Sequence, residues 1–271
     1  MSVEIKDMVL DKPSVGSVSV RVYQGEDYGK GPPVVIYFRG GAFRQTGLGE
    51  CVMAKCLAET GAIVVVPDYN VLGSVFPKPL EVGFSIFSYM AKKRAGFGDR
   101  KSLLLVGGEE AGGNIAAAVS LKARDQLANE LDGQVLVSPL LDPLMGTLSF
   151  RKADETGMRN CWADGWSHYL SGGICHPYAA PSVCSRLAGI APALLFSSED
   201  DPLLDETMIY ADRLKDAGVD VRPRVLPAGT GWPSVYGGKT RQIPSWDDFV
   251  KSQFAHFIRD LGAQRHALKT P

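Results

Sequence analysis

The chain has 271 residues, 45% of them hydrophobic and 22% charged, with a formal net charge of −1. That length holds one large α/β domain or two small ones, and the composition is ordinary for a globular protein. There is no basic stripe of the kind a nucleic-acid footprint needs, and no run approaches the ~18 apolar residues of a membrane span, so neither nucleic acid nor membrane is expected as a partner.

The start, Met1-Ser2-Val3-Glu4-Ile5-Lys6-Asp7, lacks the basic and apolar regions of a signal peptide. Cys51, Cys56, Cys161, Cys175 and Cys184 are odd in number and follow no metal or redox spacing. They point to reduced thiols in a cytoplasmic protein. Cys161, His168, Cys175, His176 and Cys184 contain no C-x-x-C pair, so no metal and no cofactor is expected. Lys92-Lys93-Arg94 reads as the solvated end of a helix, because cations favour helix C-termini.

In chain order, alternating apolar residues over 3–10 and 17–24 predict an antiparallel hairpin at a sheet edge. After a turn-rich break from Gly29 to Pro33, Val34-Val35-Ile36-Tyr37-Phe38 has the pattern of a strand buried on both faces. It runs into Arg39-Gly40-Gly41-Ala42-Phe43, where glycines leave backbone N–H groups free to meet a developing negative charge. Residues 49–60 predict a helix, and Ala62-Ile63-Val64-Val65-Val66 predicts a buried strand that leads into Pro67-Asp68-Tyr69. Pro77 and Pro79 precede a helix to about Lys93.

The organising stretch comes next. Leu103-Leu104-Leu105-Val106 ends in glycines, and the Ala-rich run from Ile115 favours a helix at once, giving strand, tight turn and helix. Gly108 and Gly112 flank Glu110 in the pattern G-x-E-x-G, with a carboxylate at the tip of the turn. Gln134 to Val137 is the next strand, followed by Ser138-Pro139-Leu140-Leu141-Asp142. Residues 143–187 break the rhythm and are rich in Gly, Pro, Cys and aromatics. They read either as a lid over the turn or as an irregular packed surface segment. Strand Ala193 to Phe196, a helix to about Ala217, strand Val219 to Leu226 and an amphipathic helix over 246–262 complete the chain. With no repeat and no linker, residues 1–271 form a single domain.

Gly108-Glu109-Glu110-Ala111-Gly112-Gly113-Asn114 resembles the GDSAGGN nucleophile elbow of the hormone-sensitive-lipase, acetyl-esterase-like branch of the α/β-hydrolases. Arg39 to Phe43 is similar to the HGGGF oxyanion loop of that family, with Arg39 in place of the histidine and Ala42 in place of the third glycine. Pro67-Asp68-Tyr69 resembles its DYRLAPE segment, from which Asn70, Gly73 and Ser74 depart. Asp201-Pro202-Leu203-x-Asp205-Glu206 resembles the segment that carries the triad acid. The motifs run in order along nearly the whole chain. They imply an α/β-hydrolase fold, a mostly parallel sheet of about eight strands flanked by helices, with a short lid-like insertion at about 143–187.

The resemblance also implies an oxyanion hole at Gly40, Gly41 and Ala111, with Asp201 as the acid, and it implies two losses. Glu110 stands where the nucleophile serine belongs, and the histidine due four residues after Pro227 falls on Gly231, beside Trp232. His256 and His266 follow Asp201 but belong to the last helix and tail. A triad needs hydroxyl, imidazole and acid together, so serine-esterase activity is not expected. An elbow carboxylate acting as nucleophile, as in epoxide hydrolases and haloalkane dehalogenases, would still need a histidine to activate water.

The preferred expectation is a small-molecule enzyme with Glu110 as general acid–base on a carbonyl-containing or ester-like molecule, a lyase, cyclase or atypical hydrolase. Burial would raise the pKa of Glu110, and the loop N–H groups and Arg39 would lower it. The alternative is a catalytically inactive pseudo-esterase that binds a small ligand, as gibberellin receptors resembling this family do. Glu110 would then anchor the ligand or plug the oxyanion hole, Asp201 would cap the helix beginning near Asp205, and Trp232 would fill the space the imidazole left. Arg39 reads as an anion-binding pocket group, a partner of Glu110 or a surface arginine. In both readings the partner is a small molecule, and a homodimer is compatible with either.

Overall fold

Val3–Leu10 (β1) and Val18–Gly25 (β2) pair antiparallel along their whole length and form one edge of a single sheet. The computed structural model describes residues 2–11, 13–25, 31–44, 46–70, 73–173, 176–232 and 246–267. Val34–Phe38 (β3), Ile63–Pro67 (β4), Leu104–Glu109 (β5), Gly133–Pro139 (β6), Ala193–Ser198 (β7) and Val221–Leu226 (β8) follow in the chain. The sheet has eight strands in the order β1-β2-β4-β3-β5-β6-β7-β8. β2 meets β4 antiparallel, and from β4 to β8 every pairing is parallel. This is the α/β-hydrolase architecture the motifs implied.

Each residue of β3 to β7 is buried, because helices cover both faces of a parallel sheet. Alternate side chains sort into two cores. Ile36, Phe38, Val65 and Val106 face Lys78–Lys92 (α2) and Glu110–Gln126 (α3), while Val35, Tyr37, Val64 and Leu105 face Val52–Ala58 (α1) and the C-terminal helix. Burying each such side chain is worth ~1.5–3 kcal/mol, which fixes the register: a slip by one residue would exchange the two faces.

Arg159–Tyr169 (α4), Leu204–Asp216 (α5) and Trp246–Ala267 (α6) complete the α-helices among the described residues. α1 is shorter than the expected 49–60, since the Cys51 Sγ accepts from the Ala54 N–H at 3.4 Å and caps its start. α6 runs past the expected end at 262, because Gly262 sits on an open face where it neither clashes nor caps. The reading of Lys92-Lys93-Arg94 as solvated needs correction at its last member. Lys92 and Lys93 are exposed, but Arg94 is only 8% exposed. A 3-10 turn tucks it inward, where it donates to the Ser102 carbonyl at 3.0 Å, the Glu130 carbonyl at 2.7 Å and Asp132 at 2.9 Å.

Residues 143–187 carry α4, and Phe150, Trp162, Trp166 and Tyr169 join the main core. A reciprocal pair pins the segment to α5: the Ser149 N–H donates to Asp205 at 2.7 Å, and the Asp205 N–H donates to the Ser149 hydroxyl at 3.0 Å. Among the described residues, no helix is long and apolar enough to cross a membrane, and no His/Cys/Asp/Glu group is arranged to hold a metal. Cys175, one of the cysteines weighed for a metal, lies outside the described residues.

The chain leaves β3 towards β4 and leaves β5 towards β6, in opposite directions along the sheet. The carboxyl ends of β3 and β5 therefore form a topological switch point, the place where open α/β sheets present their sites.

Candidate functional site

Both glycine-rich motifs lie at this switch point. β5 ends at Glu109 and α3 begins at Glu110, whose φ is +51°. A left-handed φ costs a residue with a side chain ~1–2 kcal/mol, so the turn must be held from outside. The flanking glycines allow that. A Cβ on Gly108 would overlap the Gly112 carbonyl, and one on Gly112 would overlap the Phe38 carbonyl. Strand, loop and helix meet here with backbone touching backbone.

β3 runs into the second motif, where Gly41, Ala42 and Phe43 have φ of +130°, +50° and +58°. The run after β4 staples this loop at three points. Asp68 accepts from the Gly47 N–H at 2.9 Å, the Tyr69 hydroxyl donates to the Arg39 carbonyl at 2.7 Å, and the Asn70 amide donates to the Phe43 carbonyl at 2.6 Å. Asn70, a departure from the family pattern, thus holds the loop by a neutral hydrogen bond.

Glu110 is fully buried, and its carboxylate fills the cradle this loop makes. It accepts from the Gly41 N–H, from the Ala42 N–H at 2.9 and 3.0 Å, and from the Trp162 indole Nε1 at 2.5 Å. Charge-assisted bonds of this kind are about twice as strong as neutral ones, and they hold the strained turn. Of the expected donors Gly40, Gly41 and Ala111, Gly41 is the one with a hydrogen bond to the elbow carboxylate, and Ala42 joins it. The Gly40 N–H donates instead to Glu109 at 3.0 Å. Ala111 is buried in the first turn of α3.

Glu109 points to the opposite side of the sheet, with an oxygen 4.0 Å from the Cys51 Sγ. Burial pushes its pKa up to about 7, opposed by the Tyr37 hydroxyl and the Gly40 N–H and reinforced by the charge of Glu110. Two adjacent carboxylates therefore grip consecutive N–H groups of one loop.

Asp201 is also fully buried. It accepts from the Leu203 N–H at 2.8 Å, ahead of α5, from the Ser197 hydroxyl at 3.3 Å and from the Ser138 hydroxyl. Ser138 in turn accepts from the Trp232 Nε1 at 2.9 Å. A buried chain Trp232–Ser138–Asp201 results, with Trp232 at 0% exposure and packed edge-on against Trp246 at 5.3 Å. Arg39 turns away from Glu110. Its guanidinium lies over Gly49 and donates to the Gly47 carbonyl at 2.9 Å.

The histidines lie elsewhere. His168 meets the Ser74 carbonyl at 3.2 Å, His176 accepts from the Tyr178 N–H at 3.0 Å, and His256 and His266 are exposed on α6. Sequence reasoning brought Glu110, Gly41, Asp201 and Trp232 to one end of the sheet. It missed Ala42, Trp162 and Ser138. Trp162 belongs to the aromatic-rich segment, whose composition hinted at a cover without saying which ring would reach the elbow.

The chain matches the family described as alpha/beta hydrolase fold over residues 35–230. It is 30% identical over 235 residues to esterase LipI of Mycobacterium tuberculosis, a match covering 80% of this chain and 71% of the relative. It is 23% identical over 259 residues to gibberellin receptor GID1C of Arabidopsis thaliana, covering 83% and 73%. A solved esterase of Pyrobaculum calidifontis superposes with a TM-score of 0.75 at 26% identity, covering 95% of this chain and 85% of the other.

Proposed function

The chain belongs to the α/β-hydrolase fold family, within a carboxylesterase- and lipase-like group, and from that premise we propose that it recognises a small carbonyl- or carboxyl-bearing molecule without serine acyl transfer. One observation carries this reading: the Glu110 carboxylate already occupies the N–H groups of Gly41 and Ala42. Ester hydrolysis needs those donors for the tetrahedral oxyanion, and losing one such donor costs ~10²–10³ in rate. Here the oxyanion would also face a like charge.

The same contacts favour a plug over a general acid–base group. Both Glu110 oxygens are engaged, and the Trp162 indole closes over them. Asp201 and Trp232 support the reading as well, because Ser138 links them in a buried chain that contains no imidazole. A ligand would reach this centre by displacing Trp162 from Glu110, and its own oxygen would then compete for the same N–H groups. One relative bears the name of a hormone receptor, in keeping with a fold that can bind without turnover.

The test is hydrolysis of short-chain p-nitrophenyl esters by the native protein and by Glu110→Ala, side by side. Rates at background are expected for both. A robust native rate that Glu110→Ala abolishes would overturn the proposal in favour of a working carboxylate.

A further inference from the structure

Away from the elbow, a groove of about 860 Å³ lies between the end of β1 and the C-terminal end of α2. Its floor is apolar: Met8, on the same face of β1 as buried Leu10, is 41% exposed, and half-buried Tyr89 and Phe97 meet edge-on at 6.2 Å. Its walls bring five cations, Lys92, Lys93, Arg94, Arg100 and Arg265, against the carboxylates of Asp11 and Glu130, in a chain whose net charge is −1.

Two of these cations are committed within the protein. Arg94 and Arg265 share Asp132 at 2.9 and 3.2 Å, and Arg94 also reaches Glu130 at 3.3 Å. Asp11 accepts from the Ser17 hydroxyl at 3.2 Å. Lys92, Lys93 and Arg100 are exposed, and among the described residues no carboxylate lies within ion-pair distance of them. The dipole of α2 accounts for cations at its last turn. It does not account for Arg100, which lies past the following 3-10 turn at Arg94–Gly96. Unpaired like charges beside an apolar floor form a field that attracts anions, and the volume falls within the ~300–1,000 Å³ range of small-molecule sites.

We propose that this groove binds a small soluble organic anion with an apolar body, of the medium-chain carboxylate class. Its chain lies on Met8, Tyr89 and Phe97, and its head group sits among Lys92, Lys93 and Arg100. The site is separate from the elbow and stands or falls independently of the role of Glu110.

The experiment titrates octanoate and octylammonium into the full chain by calorimetry at low salt, with ¹⁵N–¹H spectra recorded in parallel. Saturable octanoate binding is expected, weakened by salt, with shifts over residues 8–11 and 89–97 and no saturable octylammonium binding. Lys93→Glu/Arg100→Glu should weaken octanoate by about tenfold, since surface charges near the head group each contribute modestly. The milder pair Lys92→Gln/Arg100→Gln should weaken it severalfold, with thermal unfolding as the check that each variant is folded. The proposal is overturned by absent octanoate binding, by unchanged affinity in a folded variant, or by shifts confined to the elbow. Binding to phosphatidylglycerol vesicles without binding of monomeric octanoate would overturn it in favour of a lipid surface.

Discussion

Glu109 and Glu110 are neighbours that hold one loop from two sides, and their different surroundings give them different tasks. Glu110 meets backbone and indole N–H groups, whereas Glu109 lies against Cys51 and Tyr37 with a pKa near 7, above its ordinary 4.5. The folded protein therefore keeps a proton on Glu109 that the unfolded chain releases between those two values. Where the native state binds more protons, stability falls as pH rises. Stability should drop by on the order of 3 kcal/mol between about pH 4.5 and 7 from this group and level off above. Glu109→Gln should reduce the slope in urea unfolding curves, leaving the part that Glu206, also raised by burial, contributes with the same sign. A slope unchanged by the substitution would assign it to other groups. Residue identities at the elbow were legible from the G-x-E-x-G spacing, but their partners were not. Trp162 and Ser138 come from segments 52 residues from Glu110 and 94 from Trp232, and no local pattern encodes such meetings.

At the scale of elements, α4 packs against the loop after β3 and reaches Glu110 through Trp162. Gly165 lets it approach, since a Cβ there would overlap the Ala42 carbonyl, and Phe43 stacks on Tyr169 at 4.2 Å beside it. Gly165→Ala should lift α4 off the loop, cost ~1–3 kcal/mol as overpacking does, and raise quenching of tryptophan fluorescence by acrylamide. If stability and quenching stay at native values, α4 is not held by this contact. The periodicity of the sequence marked β3 to β7 as continuous apolar runs, because parallel strands buried on both faces read so, and β1 and β2 by their alternation. It left residues 143–187 open between a lid and a packed segment, since aromatic content alone does not give a helix its docking face. The basic cluster after α2 shows the same limit: Lys92 and Lys93 follow the helix-end rule, while Arg94 follows Asp132, which approaches only in the folded chain.

For the whole molecule, the order β1-β2-β4-β3-β5-β6-β7-β8 puts the loop after β3 and the turn after β5 side by side. That placement is a property of the fold, and it was legible because several motifs stand in the right order. The chemistry is a property of a few side chains, so a family fold does not carry its activity with it. A single serine at the elbow should therefore not confer serine-esterase activity. Glu110→Ser should leave p-nitrophenyl ester hydrolysis at background, because residues 228–232 offer Gly231 and Trp232 and no imidazole. Efficient hydrolysis by that variant would mean that a base reaches the elbow from somewhere else.

The Glu110 carboxylate held by the Gly41 and Ala42 N–H groups carries the proposed function. The most direct measurement is the ¹⁵N–¹H spectrum of the Gly41 and Ala42 amides and the Trp162 indole in the native protein and in Glu110→Ala, with acetate added to each. Charge-assisted hydrogen bonds should hold these protons downfield in the native protein. The variant should lose those shifts, acetate should restore them in a saturable manner, and the native spectrum should respond to acetate only at much higher concentration, where it competes with Glu110. Shifts that are the same in both proteins, or an acetate response in the native protein equal to that in the variant, would contradict that role of Glu110.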